Sequence, residues 1–255
     1  MNFLNDSDLL DQHFLINEKY IKDFIKICNL QKDDIVLEVG PGVGTLTKLI
    51  APKVAHMYVI EKDIRLKEYL ENIPGIEIIF GDVIKCNLPK VNKIITSLPY
   101  SIIEPFIYKM KNLTNTEIYM IMGKNYIDNV VNKKINNLSL LTNTFFDALK
   151  YEDIPPSAFD PTPKVMSSII KLTPKTKWNT LESIIKNIYL LDEKKLKNAL
   201  LESLIIVKKY TKKEAKEVIK SLNIDEEILN KQFNILNNDE IKKVYEILLT
   251  KYALH

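Results

Sequence analysis

Cysteine is nearly missing from this 255-residue chain: only Cys28 and Cys86 are present, far apart and in no CxxC or Cys/His cluster. Neither a disulfide framework nor a zinc site is expected from that spacing, no metal is called for, and both thiols are expected as buried apolar side chains. Long apolar runs are missing too. None approaches the roughly 20 residues that would cross a bilayer, so no membrane association is expected. Residues 1–11 hold Asp6, Asp8 and Asp11 but no basic residue. That composition lacks the positive start of a secretory signal and the arginines of a transit peptide, so a cytoplasmic protein is expected. A strong excess of one charge is likewise absent, the net charge being +3, so the field of the whole molecule does not announce a polyanionic partner. No internal repeat or low-complexity linker interrupts the chain.

What is present reads as an ordinary globular composition, 46% apolar and 27% charged, long enough for one α/β domain with a smaller appendage. Short β-branched runs alternate with longer helical patterns, the form taken by a parallel sheet covered by helices. Strands are expected at 35–38, 56–60, 76–80, 93–96, 117–122 and 167–171, with helices at 45–51 and 64–72. Asp63 is placed to cap the second helix, and Pro74-Gly75 to end it. Beyond Lys175 the pattern turns helical at 181–190, 194–204, 212–222, 228–233 and 239–252. Proline and charge in Thr173-Pro174-Lys175-Thr176-Lys177 mark a boundary, giving domains of 1–175 and 176–255. Lysines crowd 186–220, among them Lys194, Lys195, Lys197, Lys208, Lys209, Lys212 and Lys213. Two readings of them stand open: a solvated helix face, or a contact with an RNA backbone.

The string Ile35-Val36-Leu37-Glu38-Val39-Gly40-Pro41-Gly42-Val43-Gly44 reads as a buried strand running into a tight glycine turn, with Thr45-Leu46-Thr47 opening a helix. Glycine there admits positive φ and close approach of backbone to ligand. By itself such a turn serves a dinucleotide, another nucleoside ligand, or mere strand-to-helix packing. Two acids narrow the choice. Glu61 ends the second strand, about 20 residues on, where a carboxylate accepts ribose hydroxyls. Asp82, after the third strand, is placed to accept the exocyclic amino group of an adenine. The third glycine comes one residue early for a pyrophosphate-binding fingerprint, which favours S-adenosyl-L-methionine over a dinucleotide.

Ser97-Leu98-Pro99-Tyr100 follows the fourth strand, at the sheet's carboxyl edge, where open α/β sheets present ligands. An exocyclic adenine amine is a poor nucleophile because its lone pair is delocalised into the ring. Neutral acceptors on both of its N–H groups favour a pyramidal nitrogen, and an aromatic face holds the base. The Ser97 hydroxyl and the Leu98 or Pro99 carbonyl are of the first kind, Tyr100 of the second, and Pro99 stiffens the loop. A strand-to-helix turn with a packed tyrosine is the alternative reading of this segment.

With these residues in view the chain resembles, over nearly its whole length, the ribosomal RNA adenine N6,N6-dimethyltransferase family, which includes the KsgA enzymes and the erythromycin-resistance methylases. Four segments carry the resemblance: Gln12-His13-Phe14-Leu15, the glycine loop from Glu38 to Thr47, Ser97-Leu98-Pro99-Tyr100, and Ile154-Pro155-Pro156-Ser157-Ala158-Phe159-Asp160-Pro161-Thr162-Pro163-Lys164-Val165. It implies a Rossmann-like class I methyltransferase sheet with a small C-terminal all-α domain. It further implies that Gln12, His13, Leu15, Gly40, Gly42, Gly44, Glu61, Asp82 and Ser97 bind S-adenosyl-L-methionine. Phe159 and Tyr100 would hold the flipped target base between them. The implied partner is small-subunit rRNA within an assembling ribosomal subunit, met by a monomer.

Several positions depart from the family pattern. Ser97 stands where the family has Asn, Met122-Gly123-Lys124-Asn125 replaces a Gln-Lys-Glu segment, and Asn136-Asn137-Leu138-Ser139 replaces a Gly-rich stretch. Asp192-Glu193 stands where an arginine pair precedes Lys194-Lys195-Leu196-Lys197-Asn198-Ala199-Leu200, exchanging two phosphate-binding charges for two repulsive ones. The expected function is dimethylation of adenosine N6 in small-subunit rRNA. The alternative of a different class is an rRNA-binding assembly factor that retains the fold with weak or no transferase activity.

Overall fold

The computed structural model describes residues 13–252, apart from the side chain of Tyr100. Its strands are β1 (Phe14–Leu15), β2 (Ile35–Val39), β3 (His56–Glu61), β4 (Ile76–Phe80), β5 (Lys93–Thr96), β6 (Glu117–Gly123), β7 (Phe146–Ile154), β8 (Phe159–Asp160) and β9 (Ser167–Pro174). Seven of them form one sheet in the order β4-β3-β2-β5-β6-β9-β7, and β1 pairs with β8 in a separate ribbon. The pairs β2/β3, β3/β4, β2/β5 and β5/β6 are parallel, and β6/β9 is antiparallel. The largely apolar runs of β2, β5 and β6 follow from burial on both faces, as parallel strands between helices require.

Strand order explains where a ligand goes. The chain moves outward from β2 to β3 to β4, then returns to place β5 on the other side of β2. Connections leave the sheet in opposite directions at that point, opening a crevice at the carboxyl ends of the strands. Under it lies a core that includes Phe24, Ile50, Met57, Val59 and Ile95, all fully buried. Phe24 comes from the helix Glu18–Ile27, which buries Ile21, Phe24 and Ile25 at one-turn spacing and is capped by Asn17, whose side chain accepts from the Lys19 N–H.

The expected strands and C-terminal helices are present with local differences, except that the helix expected at 228–233 is only the short Glu226–Leu229, followed by a bridge from Gln232 to Lys195 and a 3-10 turn at Phe233–Ile235. Pro52 has no N–H to continue an α-helix, so the first expected helix is cut to Thr47–Ile50 and tightens into a 3-10 turn at Ala51–Lys53. Asp63 caps the next one as expected, accepting from the Arg65 N–H. That helix starts as a 3-10 turn at Ile64–Leu66 before becoming α over Lys67–Glu71. Cys28 is buried, but Cys86 is only half-buried, because it lies in the turn after Asp82 and not in an element with a covered face. The edge strand β7 lacked a clear apolar signal: Lys150, Glu152 and Asp153 interrupt it, as charges commonly do on an edge.

Two compact units make up the chain. One runs to Val131 and resumes over Asp147–Pro174; the other takes in Asn132–Phe146 and resumes at Lys175. A continuous division after residue 175 thus leaves out one segment. The helix Asn137–Phe145 belongs with the C-terminal helices because its backbone and rings are engaged there. Trp178 Nε1 donates to the Thr144 carbonyl at 2.8 Å, and Tyr189 packs edge-on against Phe145 and Phe233. Reciprocal capping boxes, Asn179 with Glu182 and Thr211 with Glu214, start the helices Thr180–Leu190 and Lys212–Ser221. No helix among the described residues is long and apolar enough to cross a membrane.

Candidate active site

A cavity of about 400 Å³ opens at the carboxyl ends of β2, β3, β4 and β5, within the range of roughly 300–1,000 Å³ usual for small-molecule sites. Its walls bring together His13, Leu15, Gly40, Gly42, Glu61 and Asp82 with Ser97, Leu98, Pro99 and Phe159. Residues expected at a donor site and an acceptor site therefore share one space.

Glycine geometry separates two roles within the loop. Gly40 and Gly42 line the cavity with φ of +69° and +60°, and a Cβ on Gly42 would come within 2.6 Å of the Phe14 ring. Gly44 is outside the cavity wall. Its φ is +82°, and a Cβ there would come within 2.3 Å of Ile73 Cδ1. Gly44 instead packs against Ile73 and Leu70, at the end of the helix Lys67–Glu71.

Glu61 is 4% exposed. Its Oε2 accepts from the Gly42 N–H at 3.2 Å and its Oε1 from the Asp63 N–H at 2.8 Å, so it holds the glycine loop; with the Lys62 N–H also acting on it, the carboxylate still has acceptor capacity left. Burial raises its pKa against the pull of those N–H groups. Glu38, 2% exposed, is the residue that sequence reasoning passed over. Burial pushes its carboxyl up to about 7; the Thr47 hydroxyl, donating to Oε2 at 2.7 Å, opposes that shift and the Glu61 charge adds to it. The available signal was a lone acid inside the apolar run of β2, immediately before a glycine turn. Two buried carboxylates on one cavity, neither in an ion pair among the described residues, suit a ligand that carries positive charge.

Asp82 accepts from the Ile84 N–H at 2.9 Å through Oδ1, and Lys62 Nζ stands 3.7 Å from its other oxygen. The His13 Nδ1 is 2.7 Å from the Pro161 carbonyl oxygen. A carbonyl only accepts, so Nδ1 carries the hydrogen, and in the neutral ring Nε2 is left as an acceptor. Thr96, at the end of β5, donates from its hydroxyl to the Val39 carbonyl at 2.8 Å. This bond ties the strand that delivers Ser97 to the strand that delivers Gly40. Ser97, Leu98 and Pro99 are half-buried, and Phe159 is buried at 4% exposure. The backbone of Tyr100 opens the 3-10 turn Tyr100–Ile102. Gln12 lies outside the described residues.

Comparison with known proteins shows the family. The family model described as "Ribosomal RNA adenine dimethylase" matches residues 5–244. A "Probable ribosomal RNA small subunit methyltransferase A" of Methanococcoides burtonii is 35% identical over 206 residues, 75% of this chain and 76% of that one. Its counterpart in Pyrococcus abyssi is 31% identical over 253 residues, 96% of this chain and 93% of that one. Among solved structures, a dimethyladenosine transferase from Plasmodium falciparum superimposes with a TM-score of 0.62 at 23% identity, covering 94% of this chain and 97% of that one. The 23S rRNA methyltransferase ErmE does so with a TM-score of 0.60 at 20% identity, over 92% of this chain and 99% of that one. At such identities the two structures speak for the fold.

Proposed function

Because the chain belongs to the ribosomal RNA adenine dimethylase family, we propose that it methylates N6 of adenosines in small-subunit rRNA to dimethyladenosine, using S-adenosyl-L-methionine. One observation carries the reading: the buried acids and the Ser97-Leu98-Pro99 and Phe159 walls bound a single cavity. The buried Glu38 and Glu61 fit a cationic nucleoside, and Gly40 and Gly42, both at positive φ, turn the backbone along the cavity wall. S-adenosyl-L-methionine supplies an electrophilic methyl group on a positively charged sulfur.

The chain's own residues bind and orient. Glu61 accepts ribose hydroxyls on its spare lone pairs, Asp82 accepts the adenine amino group, and His13 offers Nε2 as a further acceptor. Glu38, with Thr47 behind it, receives the ligand's ammonium group. On the acceptor side, Ser97 Oγ and the Leu98 or Pro99 carbonyl accept the two N6 hydrogens of the target base, turning its lone pair toward the donor. Phe159 and Tyr100 hold the base between them, and the Ser97 hydroxyl passes the released proton toward solvent. No strong base is needed, since N6 becomes acidic on gaining a substituent.

The partner in this reading is an assembling small ribosomal subunit, met by a monomer in the cytoplasm. Exposed lysines at 212, 213, 216 and 220, on the helix Lys212–Ser221, supply cations for RNA phosphates. A second reading, an rRNA-binding assembly factor with weak or no transferase activity, draws support from Ser97, whose side chain reaches less far than asparagine. Incubation with labelled methyl donor and immature small subunits, followed by nucleoside analysis, separates the two. Labelled dimethyladenosine is the expected product. Measurable donor binding without any N6-methylated adenosine would leave the second reading in place of the first.

A further inference from the structure

Three separate segments shape the acceptor side of the cavity: the end of β6 at Met122 and Gly123, the start of β9 at Ser167, and Phe159. The last belongs to the loop that leaves β7 after Asp153 and Ile154. Beside these segments lies a cluster of four charges that takes no part in the function proposed above. Lys124, immediately after Gly123, reaches Asp153 at 2.8 Å and Asp128 at 3.1 Å. Lys150 reaches the same two acids, at 2.8 and 2.7 Å. Asp153 also accepts from the Ser168 hydroxyl at 2.5 Å. The backbone closes the same join, with the Lys124 N–H donating to the Met166 carbonyl at 2.9 Å and Gly123 paired with Ser167.

Each lysine is shared by both acids and each acid by both lysines, so the cluster is a closed ring of ion pairs. The pKa of Asp153 is held well below the usual carboxylate range by the two lysines and Ser168, against the effect of burial, and Lys124 is raised by its acidic partners. Isolated surface ion pairs contribute little, but a closed network of half-buried charges constrains geometry. Here it joins β6, β7 and β9 at the points where their chains run on into the acceptor wall. None of its members touches Gly40, Glu61 or Asp82.

We propose that Asp153, Lys124, Lys150 and Asp128 are positioning residues that set the placement of Phe159 and of the β6 end, and thereby the acceptor geometry, independently of donor binding. The inference rests on the acceptor role assigned to this wall. Asp153→Asn removes the charge at the junction with little change of volume. The expected result is faster hydrogen exchange in peptides covering 154–166, unchanged exchange over 36–50, and an unchanged donor Kd by calorimetry. Because a small misplacement of reacting groups is costly, kcat on immature subunits should fall about ten- to a hundredfold. Lys150→Arg, which keeps the charge, should behave as wild type in all four measurements.

Exchange over 154–166 that does not change, or that rises together with exchange over 36–50, overturns the proposal. So does a donor Kd that weakens in step with kcat. A wild-type protein that binds donor yet methylates no adenosine defeats the functional reading, while the exchange measurement still decides whether the charge ring orders the loop.

Discussion

Leu15 lies opposite Phe159 in a two-residue antiparallel ribbon, with Phe14 opposite Asp160. The Ile16 and Asn17 N–H groups extend the join by donating to the Ala158 carbonyl, and His13 donates to the Pro161 carbonyl. The segment that brings His13 and Leu15 to the cavity is therefore stitched to the loop that brings Phe159 to it.

Phe159→Leu is the mildest test of that wall. It keeps an apolar side chain in a buried position and removes the aromatic face. Stacking of a base on an aromatic ring contributes about 1–3 kcal/mol, so kcat/KM for subunits should fall by about five- to 150-fold, while donor affinity measured by calorimetry should stay at the wild-type value. Loss of donor binding to the same extent would mean that Phe159 acts through the β1–β8 ribbon and not on the base.

The raised pKa of Glu38 predicts a pH dependence with a definite sign. Its carboxyl releases a proton at about 7 in the folded chain, against 4.5 as the ordinary value. Its contribution to stability is thus fully present below pH 4.5 and is lost as the pH rises through about 7. A cationic ligand prefers the ionised form, so donor affinity should increase between pH 6 and pH 8, in the window around that pKa. Titration calorimetry across this range checks it. In Glu38→Gln the affinity should be lower and this rise should disappear.

Gly44→Ala separates packing from binding. The residue has φ +82° and a Cβ would stand 2.3 Å from Ile73. Strain and overpacking of this kind cost about 1–3 kcal/mol. Thermal or urea unfolding should show the loss, whereas the donor Kd of the folded protein should hold. A large change in Kd at unaltered stability would return Gly44 to the ligand site.

Ser97→Asn lengthens the side chain at the junction of donor and acceptor. If Ser97 limits the reach of the acceptor to N6, the variant should raise kcat on immature subunits above the wild-type value, with donor affinity unchanged. A lower kcat would show that the cavity is shaped around serine.

The elements that carry the proposed donor site were legible because they announce themselves locally. β2 through β6 are short, largely apolar runs, the glycines permit the turn, Glu61 ends its strand and Asp82 follows the next one. Ser97 through Tyr100 could be found in the same way, from a strand end followed by a proline. Glu38 was visible as an acid in an apolar run, but its role was not, because its raised pKa comes from burial that many distant residues produce together.

By itself, then, the sequence determined the parallel sheet, the glycine loop and the helical C-terminal part, since periodicity and backbone preference act over a few neighbouring residues. Tertiary structure alone decided that His13 meets Pro161 across 148 positions, and that Asn137–Phe145 joins the C-terminal helices. It likewise decided that Lys124, Lys150, Asp128 and Asp153 close a ring. Each of these depends on segments brought together by chain folding, and no local pattern of residues encodes which distant partner a side chain will find.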